Sequence, residues 1–261
     1  MVGNMKLYTL SIILGLLIHE AHADVLPTAF SAIYHGRKYV VATAEAVIAL
    51  NRHGNYYKYT MDSDVKAPLY RNHNYDCSVM LIRDGDIYPL EHMHQGSKKA
   101  KYNSRTQFDW DERTATVVFE DGHEKTVANL PSPVWDPMSI QIKIMYDITN
   151  KNLVEEKVYT IIEHGKLSTY PMGIVGEESI AHSAVLLKTI EVGSDSADHS
   201  NKFWFSQDFF FIPIKMEIND VVVEMVSDVT TAVTAEQNNT IVGRPVEIPR
   251  CRSGISSLES S

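Results

Sequence analysis

The chain has 261 residues, 33 of them acidic against 24 basic, for a formal net charge of −9. That balance excludes nucleic acid and anionic membrane surfaces as default partners, because both are bound by clustered Lys and Arg and the sequence offers no basic stripe. Two cysteines exclude a disulfide-dense scaffold, and a chain of this length buries a real core without one.

Residues 5–23 have the build of an export signal. Lys6 gives a positive start, Leu7 to Ile18 an apolar stretch, and Ala21-His22-Ala23 a small-x-small cleavage pattern, so cutting is expected between Ala23 and Asp24. The apolar stretch is too short to span a bilayer, and no later segment is long enough to do so. We expect a signal peptide at 1–23, one mostly-β domain at 24–230 and a disordered tail at 231–261. The expected location is the periplasm, with outer-membrane association or secretion as the alternatives.

From Thr28 onward, short β-like runs alternate with turn residues. Ala29–Tyr34 and Lys38–Leu50 are split by His35-Gly36, and Tyr56–Asp62 follows Gly54-Asn55. Cys77–Ile82 ends at Asp84-Gly85, and Ile87 resumes beyond it; Asp-Gly between apolar runs is a strong hairpin signal. Asp121-Gly122 separates Thr114–Phe119 from Glu124–Ala128, and His164-Gly165 separates Val158–Ile162 from Lys166–Tyr170. Val185–Val192, Lys202–Phe205, Ile212–Ile218 and Val221–Val226 complete the series. Repeated hairpins at this spacing mean an antiparallel meander.

One segment departs from that period. Asp136 is a candidate N-cap with Pro137 behind it, and Met138, Ile142, Met145 and Thr149 share a helical face. Ile140, Ile142 and Ile144 also alternate with polar residues, which is strand period. The capping signal favours a helix near 137–150. Cys77 and Cys251 allow one disulfide, and the residues around them leave open whether they meet.

Several ordered motifs resemble the exported bacterial proteins of the domain of unknown function 3108 family. They are Phe30-Ser31-Ala32-Ile33-Tyr34-His35-Gly36, then Ser78 with Asp84-Gly85 and Pro89, then Phe108-Asp109-Trp110 opening a strand. Asp136-Pro137-Met138-Ser139 follows. Last come Phe203-Trp204-Phe205-Ser206-Gln207-Asp208 and Ile212-Pro213-Ile214-Lys215-Met216-Glu217. The resemblance implies a mainly β fold, a large curved antiparallel sheet (a half-barrel-like meander) with one packed α-helix, in a Gram-negative periplasm. It implies no reaction. This chain differs from the pattern in its bulky Phe209-Phe210-Phe211.

Candidate chemistry is sparse. His92 and His94, two apart in a strand, face one side and could reach one ion, with His73 and His123 as further ligands. A polar stretch on a chain with 11 histidines explains them as well, and no metal or cofactor is expected. Asp109, Asp111 and Glu112 read as solvated acids at a strand start rather than as a glycosidase pair. Asp208 is placed to hold its own turn through backbone N–H groups. Lys215 and Glu217 share the polar face of a strand whose other face is apolar.

No nucleophile elbow, phosphate loop or zinc helix is present, so no catalytic set is expected. The expected role is non-enzymatic binding of a lipid or other apolar or amphiphilic molecule inside the curved sheet. Met80, Met138, Met145, Met172, Met216 and Met225 are adaptable lining or core. The alternatives are an envelope assembly factor working through a protein partner, and a hydrolase on envelope polymers. An internal cavity favours the first, an exposed apolar patch on a filled core the second, and a cleft with convergent carboxylates the third.

Overall fold

The computed structural model describes residues 24–38, 42–98, 100–194, 201–218, 221–227 and 247–252. The expected signal segment, Ala23 included, and most of the expected tail lie outside the described residues. Fourteen strands form one antiparallel sheet. They are β1 (Phe30–Lys38), β2 (Ala42–His53), β3 (Tyr56–Ala67), β4 (Tyr70–Arg83), β5 (Asp86–Gly96), β6 (Ser104–Asp109) and β7 (Thr114–Phe119). β8 (Glu124–Val127) is followed by α1 (Ser139–Thr149), the one α-helix among the described residues. Then come β9 (Lys157–Glu163), β10 (Lys166–His182), β11 (Val185–Gly193), β12 (Lys202–Ser206), β13 (Pro213–Ile218) and β14 (Val221–Met225).

The spatial order runs β8 to β1 and then β14 to β9, so the ends of the chain meet in the middle of the sheet. That junction is the β1–β14 pairing, which sets Tyr34 against Met225. The sheet edges are β8 and β9, the strands flanking the helix in sequence. Between them the chain bridges the seam at one end. Leu130 accepts hydrogen bonds from the Arg113 side chain at 2.6 and 3.0 Å, and Trp135 exchanges backbone bonds with Thr160 and Ile162 of β9. The mainly β, curved antiparallel architecture with one packed helix is thus as expected.

Curvature follows from what the helix touches. One apolar core joins Ile142, Ile144, Met145 and Ile148 of α1 to strands from both halves of the sheet, including Tyr34, Ile48, Tyr59, Tyr159, Val192, Phe205 and Met225. The helix bonds directly to β3 through Tyr59–Gln141, to β5 through Asp86–Lys143 and to β9 through Tyr159–Asp147, strands from both halves of the sheet, so the sheet must curve around it. Nine of the eleven helix residues are buried, which explains why the sequence carries both periods: a helix apolar on nearly every side need not show a clean stripe.

Local chemistry nevertheless decides for helix. Asp136 Oδ1 accepts the N–H of Met138 at 2.8 Å and of Ser139 at 2.9 Å, and the Asp136 N–H donates back to Ser139 Oγ at 2.9 Å. This is a reciprocal capping box with serine in the place usually held by Glu or Gln. At the other end, Asn150 Nδ2 donates to Tyr146 O and to Val25 O, while its Oδ1 accepts the Val25 N–H. The start of the described chain is thereby pinned to the helix terminus.

Four expectations need correction. His35-Gly36 is not a turn: β1 runs through it, and Gly36 serves close packing, since a Cβ there would lie 3.1 Å from that of Ala44 on β2. Phe108 closes β6 rather than opening a strand, and Asp109 then holds the turn by accepting the N–H groups of Asp111 and Glu112. Asp208 accepts a backbone N–H, but from Lys188 on β11 at 2.9 Å rather than within its own turn.

Residues 247–252 are the fourth case, since they are not loose. Cys251 is bonded to Cys77 and packs with Tyr75, Val79 and Met93 on the sheet face opposite the helix. The Glu91–Arg105 ion pair holds this strap as well: Glu91 accepts the Cys251 N–H and Arg105 donates to the Cys251 carbonyl, each at 3.2 Å.

Candidate functional site

Several residues of the family-like motifs meet in pairs that tie strands and turns together. Tyr34 donates its hydroxyl to the Pro213 carbonyl at 2.7 Å. Trp110 Nε1 donates to the Pro89 carbonyl at 2.7 Å and its ring stacks on Phe108. Ser78 donates to Asp136 Oδ2 at 2.8 Å, and Asp136 is fully buried. Lys215 lies 4.1 Å from the centre of the Trp204 ring, a cation–π contact on the sheet. Asp84 and Gly85 both take positive φ in the β4–β5 turn, the conformation a two-residue hairpin demands. These residues hold the fold; they do not converge on a cleft.

The cleft is built mainly from other residues, with Pro137, Met138 and Phe203 of the motifs in its lining. Asp76 on β4, His94 on β5 and Ser104 on β6 are direct cross-strand neighbours. Because side chains alternate across a strand, His92 joins them on the same face. The β9–β10 hairpin swings Glu163 and His164 over this row. His164, with φ of 48° at the turn, presents its ring 6.2 Å from His94 and 5.6 Å from Tyr102. Together these side chains and Pro137 enclose a polar vestibule of about 310 Å³.

Behind it, and sharing Asp76, His94, Pro137 and Glu163, runs an apolar trough of about 360 Å³. Its floor is Met138, just before α1, with Ile140 and Ile144 of α1, and its walls include Met61, Ile161, Met172, Phe203 and Ile218. The helix fills much of the concave face, and the trough is the part it leaves uncovered. Of the methionines singled out in the sequence, Met138 and Met172 line it, while Met80, Met145, Met216 and Met225 are packed in the core.

Electrostatics distinguish the vestibule histidines. His94 Nδ1 lies 2.7 Å from Asp76 Oδ1, and this hydrogen bond holds the imidazolium above the ordinary value of 6.5 against the opposing effect of burial. Burial instead pushes His164 down, with Glu163 only partly countering it. A raised folded value means that the His94 contribution to stability is fully present below about pH 6.5 and is lost as pH rises through the folded value. Asp76→Asn should therefore lower the His94 titration midpoint, followed by NMR of the imidazole, and flatten the stability gain on acidification. A His94 midpoint at or below 6.5 in the parent protein would refute this assignment.

Sequence reading singled out His92 and His94, weighed them as ligands for an ion, and expected no metal. Among the described residues, no group of three His, Cys, Asp or Glu side chains is placed to hold a metal. His73 instead contacts Asp62 and Asp64, and His123 stacks on Phe119 at the β7–β8 turn. A larger groove of about 500 Å³ lies on the opposite face beside the strap, lined by Glu91, Arg105 and Ile248–Arg250. Its two central charges are spent on each other and on Cys251, so it is the weaker site.

A β-sheet wrapped almost into a barrel around one helix, with an apolar trough opening through a polar mouth, defines a barrel-like class of protein. A solved structure of the same class is the beta-barrel-like protein of domain of unknown function DUF1849 from Brucella abortus. The two share a TM-score of 0.50 and 8% identity, over 77% of this chain and 96% of that one, a likeness of fold alone. Residues 32–226 match the family described as "Protein of unknown function (DUF3108)", and the chain belongs to it. No curated protein matches the chain. Among the described residues no helix is long and apolar enough to cross a membrane.

Proposed function

We propose that this protein is exported to the periplasm and binds an amphiphilic molecule, its apolar part in the trough and its polar end in the vestibule. The observation that carries the reading is the continuity of the two spaces through Asp76, His94, Pro137 and Glu163. Ligand sites of this kind are mostly apolar with a few placed polar groups. Methionines at the walls suit a chain of variable shape. Export is supported by the signal-like residues 5–23 and by the Cys77–Cys251 bond, which an oxidising compartment favours.

A second reading, hydrolysis of an envelope polymer, draws on Asp76 and Glu163 facing one vestibule from different strands. Asp76 is committed to His94, however, which leaves Glu163 without a partner carboxylate for acid–base work. The binding reading accounts for more of the cleft.

Native mass spectrometry of protein purified without detergent, before and after organic extraction, tests the proposal. The expected result is an extractable adduct of lipid size that is absent from Met61→Trp, whose larger ring fills the trough. A protein that stays bare when offered envelope lipids would defeat it.

A further inference from the structure

Resting on that reading, we propose that the vestibule selects an amphiphile whose polar end is an ammonium group. The argument is one of charge and of unspent hydrogen-bonding groups. The residues enclosing the vestibule include two carboxylates and no Lys or Arg. Asp76 is held by His94 at 2.7 Å. Glu163 makes no ion pair among the described residues, so one negative charge stands uncompensated at the mouth of an apolar trough. Glu163 is exposed, so an opposite charge brought beside it gains a modest, screened attraction.

Charge alone would not make a site, and a second observation points the same way. His92 lines the same vestibule, is only 6% exposed, and its Nε2 is buried with no hydrogen-bond partner. An imidazole protonated at Nδ1 presents Nε2 as an acceptor, which is what an N–H⁺ group requires. The rings of His164 and Tyr102 form one wall of the space, and Tyr102 already carries the Lys101 ammonium 4.9 Å from its centroid, on a ring type that attracts cations.

An anionic head finds no comparable welcome. The N–H groups at the start of α1, the usual anion site of a helix, are occupied: Asp136 takes those of Met138, Ser139 and Ile140. A carboxylate or phosphate would also face Glu163 directly.

The test uses the full chain and three probes of equal length, decylammonium, decanoate and decanol, titrated by calorimetry at pH 7 below their aggregation concentrations. Decylammonium should bind at least about tenfold more tightly than decanoate, since one charge attracts what it repels in the other. Glu163→Gln, a substitution of an exposed side chain, should reduce that ratio several-fold. Decanoate binding as tightly as decylammonium, or a ratio unmoved in Glu163→Gln, would overturn the headgroup assignment while sparing the trough. Failure of all three probes to bind would remove the amphiphile reading and this inference together.

Discussion

Loss of the Cys77–Cys251 bond, in Cys77→Ala/Cys251→Ala, is expected to lower the unfolding free energy by about 3–5 kcal/mol. The bond closes a loop between residues 174 apart in sequence, and chain entropy in the unfolded state scales with the logarithm of that length, for an upper value of about 5 kcal/mol. The folded state retains part of the strap without it. Glu91 and Arg105 still grip the Cys251 backbone, and the alanines still pack near Tyr75, Val79 and Met93. Urea titrations of the parent and double variant, each with and without reductant, check this. The parent should lose stability on reduction and the variant should not. A parent midpoint insensitive to reductant under conditions that cleave the bond would contradict the argument.

The strap also shows where sequence reasoning reaches its limit. Polar composition after Thr230 argues for disorder, and nothing beside Cys251 reveals that Glu91 and Arg105, far back in the chain, are spaced to accept and donate to its backbone. Local signals fared differently. Asp84-Gly85 and His164-Gly165 are legible because a two-residue hairpin demands positive φ at both positions. Asp136 is legible as a cap because capping is chemistry between residues two or three apart and Pro137 follows it. The β1–β14 pairing is invisible locally, because it joins strands separated by nearly the whole domain.

The cleft was legible only in part, for the same reason. His92 and His94 stand out by their two-residue spacing. Asp76 could have joined them, since it shares its alternation with Ser78, had β4 been traced back to Tyr70. Glu163 and His164 reach the vestibule only through the swing of the β9–β10 hairpin, which no pattern within 157–182 encodes. The motifs that carried the family resemblance are mostly contacts that hold strands together, such as Tyr34 to Pro213 and Trp110 to Pro89. They identify a fold and say little about a ligand.

Asp147→Asn is the second substitution expected to have a large effect, a loss of about 3–5 kcal/mol. Asp147 is fully buried on α1, and its Oδ2 accepts from Lys157 and from the Tyr159 hydroxyl, each at 3.0 Å. Its Oδ1 lies 2.9 Å from Lys143 but off the hydrogen-bonding direction, an ion contact that Asp86 shares from the other side at 3.0 Å. Two carboxylates and two ammonium groups therefore balance inside the fold. The amide removes one negative charge and leaves Lys143, whose side chain is 4% exposed, with the partly exposed Asp86 as its one remaining carboxylate among the described residues, whereas Lys157 at 39% can turn to water.

Removing both buried charges in Lys143→Met/Asp147→Leu should cost less than Asp147→Asn alone, because apolar groups of similar size do not demand solvation. The Tyr159 hydroxyl still loses its acceptor, so recovery stops short by about 1–3 kcal/mol. Thermal and urea unfolding of the two variants decide the matter, and a double variant less stable than the single one would reverse the ranking. The consequence for function is direct. Ile140 and Ile144 form the trough floor on the same helix, so a helix loosened at Asp147 should bind decanol more weakly even under conditions where the sheet remains folded.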